Sequence, residues 1–130
     1  MIRKYEDSDL RALCEIHKAN GLPENCMPDP ADPLIMVKAV LEEEGKPVMV
    51  TFLRGTSELY LFVDHATGTP EERWQRLQDL RDHMVQEAWK LGLDQMTCFV
   101  PPEVDKFFGK RLQELGFQRS TWQHYSLNIT

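Results

Sequence analysis

The chain lacks the features that mark several classes of protein. It has no apolar run near the roughly 20 residues that a membrane-spanning helix needs. Charged residues among the first seven positions stand where a signal peptide has its apolar stretch. We therefore expect a cytoplasmic protein that makes no use of a membrane. Basic residues are also in deficit, because 15 Lys and Arg against 21 Asp and Glu give 15 − 21 = −6, and this argues against a nucleic-acid partner.

Cysteine is scarce, and its spacing excludes two further classes. The three cysteines Cys14, Cys26 and Cys98 are an odd number without CxxC spacing, so neither a disulfide framework nor a zinc site is expected. Cys14 lies three residues before His17 and fits a small core residue better than half of a metal pair. Cys98 lies in an apolar run and is expected to be buried and inert. We find no Ser/His/Asp triad and no P-loop, and we expect no metal.

What is present is an ordinary globular composition. The chain has 130 residues, of which 42% are apolar and 28% charged, and this length is typical of one domain spanning residues 1–130. A short edge strand is predicted over residues 2–6. A helix is predicted to begin at Asp7 and to end at Gly21, with one apolar face formed by Leu10, Leu13, Cys14 and His17.

The next stretch contains prolines and then alternating elements. Residues 21–33 hold four of the eight prolines and are predicted to be irregular, either as a loop over a pocket or as a plain surface connection. A second helix is predicted over residues 34–44, ended by Gly45. Two strands, over residues 47–53 and 58–63, are predicted to form an antiparallel hairpin.

The clearest element is a long helix over residues 70–91. Thr69, Pro70 and Glu72 form the pattern of a capping box with proline at the first helical position. A strand over 95–100 and a helix over 104–115 follow. The last predicted strand, 121–129, turns three apolar side chains to the core, namely Tyr125, Leu127 and Ile129.

The resulting order is β-α-α-β-β-α-β-α-β, which predicts an α+β domain with a mixed central sheet flanked by helices. The long helix between residues 58–63 and 95–100 predicts that these two strands run parallel. With this order, with the opening residues 2–13 and with Leu115-Gly116-Phe117 before the last strand, the chain resembles the GNAT family of N-acyltransferases. The resemblance in element order covers nearly the whole chain, with one strand fewer before the long helix.

The resemblance implies a cofactor and a place for it. Acetyl-CoA or another acyl-CoA would lie in a gap between the two parallel strands, with its diphosphate at the start of the long helix, where amides and the helix dipole attract an anion. The residues implied for cofactor binding are Phe62, Val63, His65, Gly68, Thr69 and Arg73. The acceptor would be a small-molecule or protein amine, and monomer and homodimer both remain open.

The sequence also departs from the family pattern. In the diphosphate loop only Gly68 fits, and Pro70 has no amide hydrogen to give to a phosphate. Glu71 and Glu72 bring negative charge, which Arg73 and Arg76 would offset. Where the family often has a proton-donating tyrosine in its last helix, this chain has Leu112.

Two residues are candidates for catalysis, and two functions stay open. Glu58, at the start of its strand, and His65, after the end of it, are the candidate general bases. Tyr60 and His124 are expected to be packing and surface residues. The first hypothesis is an N-acyltransferase in which a free amine attacks the thioester directly. The second is a GNAT-fold protein without catalysis that binds a ligand or a protein, with Trp74, Trp89 and Trp122 as a possible partner surface.

Overall fold

The computed structural model describes residues 1–129 and has a mixed α+β architecture. Its helices and strands are β1 (Ile2–Lys4), α1 (Leu10–Ala19), β2 (Ile35–Glu43), β3 (Lys46–Arg54), α2 (Pro70–Lys90) and α3 (Pro102–Glu114). The chain divides into two compact units, residues 1–57 and the residues from 58 onward. The single domain expected from the sequence over residues 1–130 stays a prediction.

The first unit is built on a three-stranded antiparallel sheet in the order β1-β2-β3. Strand β1 is an edge strand, as the sequence predicts, and it pairs with β2 from Ile2 opposite Leu41 to Lys4 opposite Ala39. Strand β3 pairs with β2 along its length, from Ile35 opposite Arg54 to Glu43 opposite Lys46. The strand predicted over residues 47–53 is thereby confirmed.

The helix predicted over residues 34–44 is wrong, because these residues form β2. The apolar spacing of Val37, Val40 and Leu41 suits a helical face, yet the stretch also has the β-branched residues that favour a pleated strand. Gly45 does not end a helix. With Glu44 it forms the turn between β2 and β3, and both residues have positive φ, 50° and 76°, as a tight hairpin turn of the primed type requires.

The core of the first unit lies on one face of this sheet. Val40 is fully buried, and Tyr5 and Ile35 are nearly so. The rings of Tyr5 and Phe52 meet edge to face with their centroids 5.4 Å apart, a favourable arrangement for aromatic quadrupoles. The Lys38 ammonium stands 5.5 Å from the Tyr5 ring centre, within the range of a cation–π contact.

A charged network ties β1 to β2 and to the turn before α1. The Arg3 guanidinium donates to both carboxylate oxygens of Asp9 at 2.8 Å, and its Nε donates to Glu42 at 2.9 Å. The Glu6 amide also donates to Asp9, at 2.8 Å. These bonds to the ionised form lower the pKa of Asp9 to about 2, with the Arg3 hydrogen bonds as the largest cause.

The first helix begins as predicted, with a 3-10 turn at Asp7–Asp9 that leads into α1. Its buried face differs from the prediction. Cys14 is exposed rather than part of the core, while Leu13, Ile16 and His17 are half-buried. Between α1 and β2 the proline-rich stretch is irregular, as predicted, except for a 3-10 turn at Glu24–Cys26.

The second unit contains the two helices that the sequence predicts most clearly. Helix α2 has its capping box in place, and 11 residues separate the end of α2 from the start of α3. The Arg111 guanidinium of α3 lies 4.8 Å from the centre of the Trp74 ring of α2. Arg81 of α2 also donates to the Leu115 carbonyl at 2.8 Å, and Leu115 is buried, so two arginine side chains connect α2 with α3 and the residue that follows it.

The three strands predicted in this unit are wrong as strands. Residues 58–63, 95–100 and 121–129 form no ladder, and only one bridge joins the first two stretches. Tyr125, Leu127 and Ile129, expected to face the core, are each more than 85% exposed. The β-branched and aromatic composition of these stretches indicated strands, but a strand also needs a paired neighbour. The predicted hairpin of residues 47–53 with 58–63 is likewise replaced by the β2–β3 hairpin.

Candidate functional site

The start of α2 and the loop before it form the first part of the candidate site. Gly68 has a φ of 74°, which favours glycine. A Cβ here would stand 2.8 Å from Glu72 Oε2 and 2.9 Å from Arg76 Nη1, so the ends of these two flexible side chains would have to move. The sequence picked out Gly68 for its fit to a phosphate loop, and the local geometry gives it a structural reason as well.

Thr69 and Glu72 close the capping box on each other. The Glu72 amide donates to Thr69 Oγ1 at 3.2 Å, and the Thr69 amide donates to Glu72 Oε2 at 2.9 Å. Pro70 has no amide hydrogen. The capping box therefore uses the Thr69 and Glu72 amides, which leaves the amide of Glu71 as the first-turn donor that an outside anion would meet.

Arg73 lies against the same loop but does not point into open solvent. Its Nη1 donates to the Gly68 carbonyl at 2.7 Å and lies 3.4 Å from the carbonyls of His65 and Thr67. Arg73 was predicted to bind the cofactor. Its position adds a second role, because three carbonyl contacts hold the loop in shape and keep a positive charge beside Gly68.

The loop itself is ordered by Asp64. Its carboxylate accepts from the Ala66 amide at 2.9 Å, and its carbonyl accepts from the Thr67 hydroxyl at 3.4 Å, which is an Asx-type turn. His65 follows Asp64 directly and its side chain is exposed. His65, one of the two predicted bases, therefore lies in an ordered turn, four residues before the N-cap residue Thr69.

The second part of the site is where the stretch after β3 meets the stretch after α2. Glu58 and Thr97 form an isolated parallel bridge, and the Leu59 amide donates to the Thr97 carbonyl at 2.7 Å. The predicted parallel direction of these two stretches is confirmed at this bridge. Within residues 1–129 the bridge is not continued as a ladder toward residues 63 and 100. Within the described residues the two stretches therefore pair at Glu58 and Thr97 and form no ladder beyond that bridge.

Phe62 and Val63, predicted to line the cofactor, lie beyond that bridge. Phe62 is 90% exposed and Val63 is partly exposed. Both residues directly precede the Asp64 turn. The unpaired backbone of residues 60–63 thus leads from the Glu58 bridge to the loop before α2.

Tyr60 lies two residues after the candidate base Glu58. A side-chain hydrogen bond with Glu58 and the charge of that carboxylate raise the pKa of Tyr60. Tyr60 is 68% exposed and was expected to be only a packing residue. The two-residue spacing carries the signal, because alternate side chains of an extended chain lie on the same side.

Further aromatic contacts extend from the bridge. The Phe99 and His124 rings have centroids 4.7 Å apart and are tilted by 50°. His124 Nε2 lies 2.9 Å from Ser126 Oγ, within hydrogen-bond distance. His124 was expected on the surface, and it is exposed, but it also holds the last stretch against the one that carries Thr97.

The remaining predictions concern cysteine, metals and membranes. Cys98 is half-buried, and burial raises the pKa of its thiol, so it has none of the activation that a nucleophilic cysteine needs. Among residues 1–129 no three His, Cys, Asp or Glu side chains are grouped as a metal site would require. No helix in the same range is long and apolar enough to cross a bilayer.

A surface depression of about 610 Å³ lies in the first unit, at the turn between β2 and β3. It is lined by Met1, Gly45 and three consecutive glutamates, Glu42, Glu43 and Glu44. Carboxylates repel a diphosphate, so this depression does not suit the cofactor that the sequence implies.

Comparison with known proteins adds no relative to this picture. No family model matches the chain, and neither the curated proteins nor the solved structures searched contain a match.

Proposed function

We propose that the protein is a GNAT-like N-acyltransferase that moves an acetyl or other acyl group from acyl-CoA to an amine. The observation that carries the proposal is the isolated parallel bridge between Glu58 and Thr97. Two parallel stretches that touch once and then stay unpaired leave backbone donors and acceptors free for an extended ligand. A pantetheine arm, with its two amides, is a ligand of this kind.

The element order supports the same proposal. When residues 35–43 are a strand rather than a helix, β2, β3 and the stretch from Glu58 all precede the long helix α2. Strand β2 adds a strand before that helix, while the stretch from Glu58 contributes a single bridge and no strand. Helix α2 then connects the two bridged stretches, as a crossover between parallel neighbours does.

The chemistry would be direct aminolysis of a thioester. The amine nitrogen attacks the thioester carbonyl, and proximity supplies most of the acceleration. Backbone amides of residues 60–63 would polarise the carbonyl oxygen as negative charge develops on it. Glu58 is the candidate base for the proton that the attacking amine loses.

The loop before α2 would hold the diphosphate. Gly68 lets the backbone approach a phosphate closely, and the Glu71 amide with the Arg73 and Arg76 guanidinium groups supplies positive potential. The Glu72 carboxylate opposes this, because it already occupies the Thr69 amide. We therefore expect weak cofactor binding relative to a helix start whose amides are all free.

The test has a binding arm and a turnover arm. Acetyl-CoA at millimolar concentration should raise the melting temperature, because a ligand of the native state stabilises it. CoA release is then followed with a thiol reagent in the presence of a primary alkylamine, an α-amino acid, an arylamine or a lysine-containing peptide. Because Cys14 is exposed, a protein-only reaction is subtracted. Absence of both binding and CoA release would reject the proposal.

A second function is favoured by one specific observation. In the capping box of Thr69 and Glu72, the Glu72 carboxylate occupies the start of α2, where the diphosphate of a cofactor would bind. This arrangement suits a domain that no longer binds a diphosphate. On this alternative the chain is a GNAT-fold binding module without catalysis. A thermal shift with acetyl-CoA but no CoA release with any amine of the panel would support this alternative over the enzyme.

A further inference from the structure

The unpaired stretch after the Glu58 bridge exposes its aromatic side chains more than its aliphatic ones. Tyr60 and Phe62 are 68% and 90% exposed. Their aliphatic neighbours are covered further, since Leu59 is half-buried and Leu61 and Val63 are 36% and 41% exposed. Alternate side chains of an extended chain lie on the same side. The two aromatic rings therefore share one side of this stretch, which is its open side.

The second bridged stretch adds a third ring to the same side. Phe99 is 57% exposed, while its two neighbours in the chain are half-buried. The bridge pairs Glu58 with Thr97 in parallel, so the side chains of these two residues lie on one face. Tyr60 and Phe99 each follow a bridged residue by two positions, and they therefore lie on that face as well.

The Phe99 ring is fixed by a contact with His124. The two ring centroids are 4.7 Å apart, and His124 Nε2 lies 2.9 Å from Ser126 Oγ. Contiguous exposed apolar side chains mark binding sites, whereas single ones are normal on any surface. The rings of Tyr60, Phe62 and Phe99 form such a set, which we name the aromatic row.

A carboxylate stands at the bridged end of the aromatic row. Glu58 is exposed and lies on the same face as Tyr60 and Phe99, one two-residue step before them. Such a step measures about 7 Å along an extended chain. A ligand that carries a cation and an aromatic ring at about this separation would meet the carboxylate and the rings together. The rings themselves also attract a cation.

We propose that the amine acceptor is an arylalkylamine, whose ammonium binds at Glu58 and whose ring binds on Phe99 and Tyr60. The inference rests on the proposed acyltransferase function and names the substrate class of that same site. The ammonium first releases one proton. Its nitrogen then bonds to the thioester carbon and the carbon–sulfur bond breaks. The second proton that the nitrogen loses balances the proton that the CoA thiolate gains, so the N-acyl amine and CoA are the products.

Charge distinguishes this acceptor from two other ligands that would use the same rings. An aromatic α-amino acid has a similar ring, but its carboxylate is repelled by Glu58. An aromatic acyl group on CoA is neutral and gains nothing from the Glu58 charge. The combination of rings and carboxylate therefore favours a cationic aromatic amine without an acid group.

The first experiment compares matched amines by CoA release from acetyl-CoA, at equal concentrations of the free amine. The kcat/KM for 2-phenylethylamine should exceed that for 2-cyclohexylethylamine by about fivefold, because only the phenyl ring makes aromatic pairs with the row. L-phenylalanine should react roughly tenfold more slowly than 2-phenylethylamine, because its carboxylate meets Glu58.

Variants that remove one ring then locate the preference. In Phe99→Leu and in Tyr60→Leu the ratio of kcat/KM for the phenyl amine to that for the cyclohexyl amine should fall to about two. Tyr60→Phe keeps the ring and should keep the ratio. Phe107→Leu removes an exposed ring of α3 outside the aromatic row and is the matched control. The ratio compares two amines on one protein, so a loss of folded protein cancels, and an unchanged ratio in both Leu variants would overturn the inference.

A binding measurement supplies a readout besides turnover. Amide NMR titration of the ¹⁵N-labelled chain with 2-phenylethylamine in the presence of CoA should give saturable shifts in residues 58–62 and 97–100. Absence of shifts in these residues would overturn the inference.

The outcomes separate the inference from the proposed function. If the phenyl and cyclohexyl amines release CoA with equal kcat/KM, the acceptor assignment is wrong and the acyltransferase stands. The same holds if a ring preference appears only in the donor, between phenylacetyl-CoA and hexanoyl-CoA. If no amine releases CoA, the proposed function fails and the acceptor assignment fails with it, even where 2-phenylethylamine binds. A ring preference that is lost in the two Leu variants supports both.

Discussion

The Thr69 amide donates a hydrogen bond to the Glu72 carboxylate at 2.9 Å, so the longest helix carries its own anion at its start. This bond has two consequences. It completes the capping box of α2, in which the other bond, from the Glu72 amide to Thr69 Oγ1, fills the N-cap and is worth about 1 kcal/mol. It also places a carboxylate where the proposed cofactor would place a phosphate.

Removal of that carboxylate should strengthen cofactor binding. We expect Glu72→Ala to raise the affinity for acetyl-CoA by about tenfold, because it frees the Thr69 amide for a charge-assisted hydrogen bond and removes a repelling charge. Glu71→Ala removes a charge from the same turn without freeing that amide, and should have a smaller effect. Calorimetric titration of both variants and the wild type with acetyl-CoA measures this effect. If Glu72→Ala binds acetyl-CoA no more tightly than the wild type does, the diphosphate does not lie at the start of α2.

Pro70 is the second obstacle to anion binding at this helix. Pro70→Ala adds an amide hydrogen at the first helical position and should raise the acetyl-CoA affinity by up to about tenfold. Pro102→Ala makes the same change at the start of α3 and serves as the control. If both variants bind acetyl-CoA like the wild type, the loop before α2 does not contact the diphosphate.

The Arg3–Asp9 pair makes a prediction about acid stability. The pKa of Asp9 is lowered in the folded chain from 3.8 to about 2, so its contribution to stability is fully present above the unfolded pKa and is lost as the pH falls toward 2. Asp9→Asn should therefore be less stable than the wild type at pH 6, and the difference should shrink as the pH falls from 3.8 through about 2.

Urea midpoints measured from pH 2 to pH 6 test this expectation. Asp7→Asn is the control, because Asp7 lies in the same 3-10 turn but is exposed. A difference between Asp9→Asn and the wild type that stayed constant down to pH 2 would contradict the assignment of the pKa shift to the Arg3 hydrogen bonds.

Val40 tests the core of the first unit. It is fully buried, and Val40→Ala should lower the free energy of unfolding by about 2 kcal/mol through lost burial and a residual cavity. Val48→Ala on β3, where the side chain is 41% exposed, should cost clearly less. Equal costs would mean that Val40 is not the centre of this core.

The same variant tests the single-domain prediction. All three tryptophans, Trp74, Trp89 and Trp122, lie in the second unit. If the chain unfolds as one domain, Val40→Ala should shift the tryptophan fluorescence transition together with the circular dichroism transition. A fluorescence transition that stays at its wild-type midpoint would show that the two units unfold separately.

The sequence predicted the helices better than the strands, and the physical reason is visible in particular residues. Helix α2 carries its start signal within four residues, Thr69 to Glu72, and this signal depends only on local contacts. Strand β2 has apolar residues at both helical and strand spacing. Its turn residue Glu44 has positive φ without being the Asn or Asp that usually marks a hairpin.

The loop of the candidate site was predictable from the sequence, and its bridge was not. The spacing of Gly68, Thr69 and Pro70 indicates the start of α2. The bridge between Glu58 and Thr97 joins two residues that are far apart in the chain. A non-local contact of this kind has no signature in the sequence.

The central claim is that acyl-CoA lies along residues 60–63 with its diphosphate at the loop before α2. The most direct measurement is a two-dimensional amide NMR titration of the ¹⁵N-labelled chain with acetyl-CoA. The account predicts saturable shifts of the amides of residues 59–72 and 97–100, with those of the β2–β3 turn unchanged. No shift at millimolar acetyl-CoA, or shifts confined to residues 1–57, would contradict it.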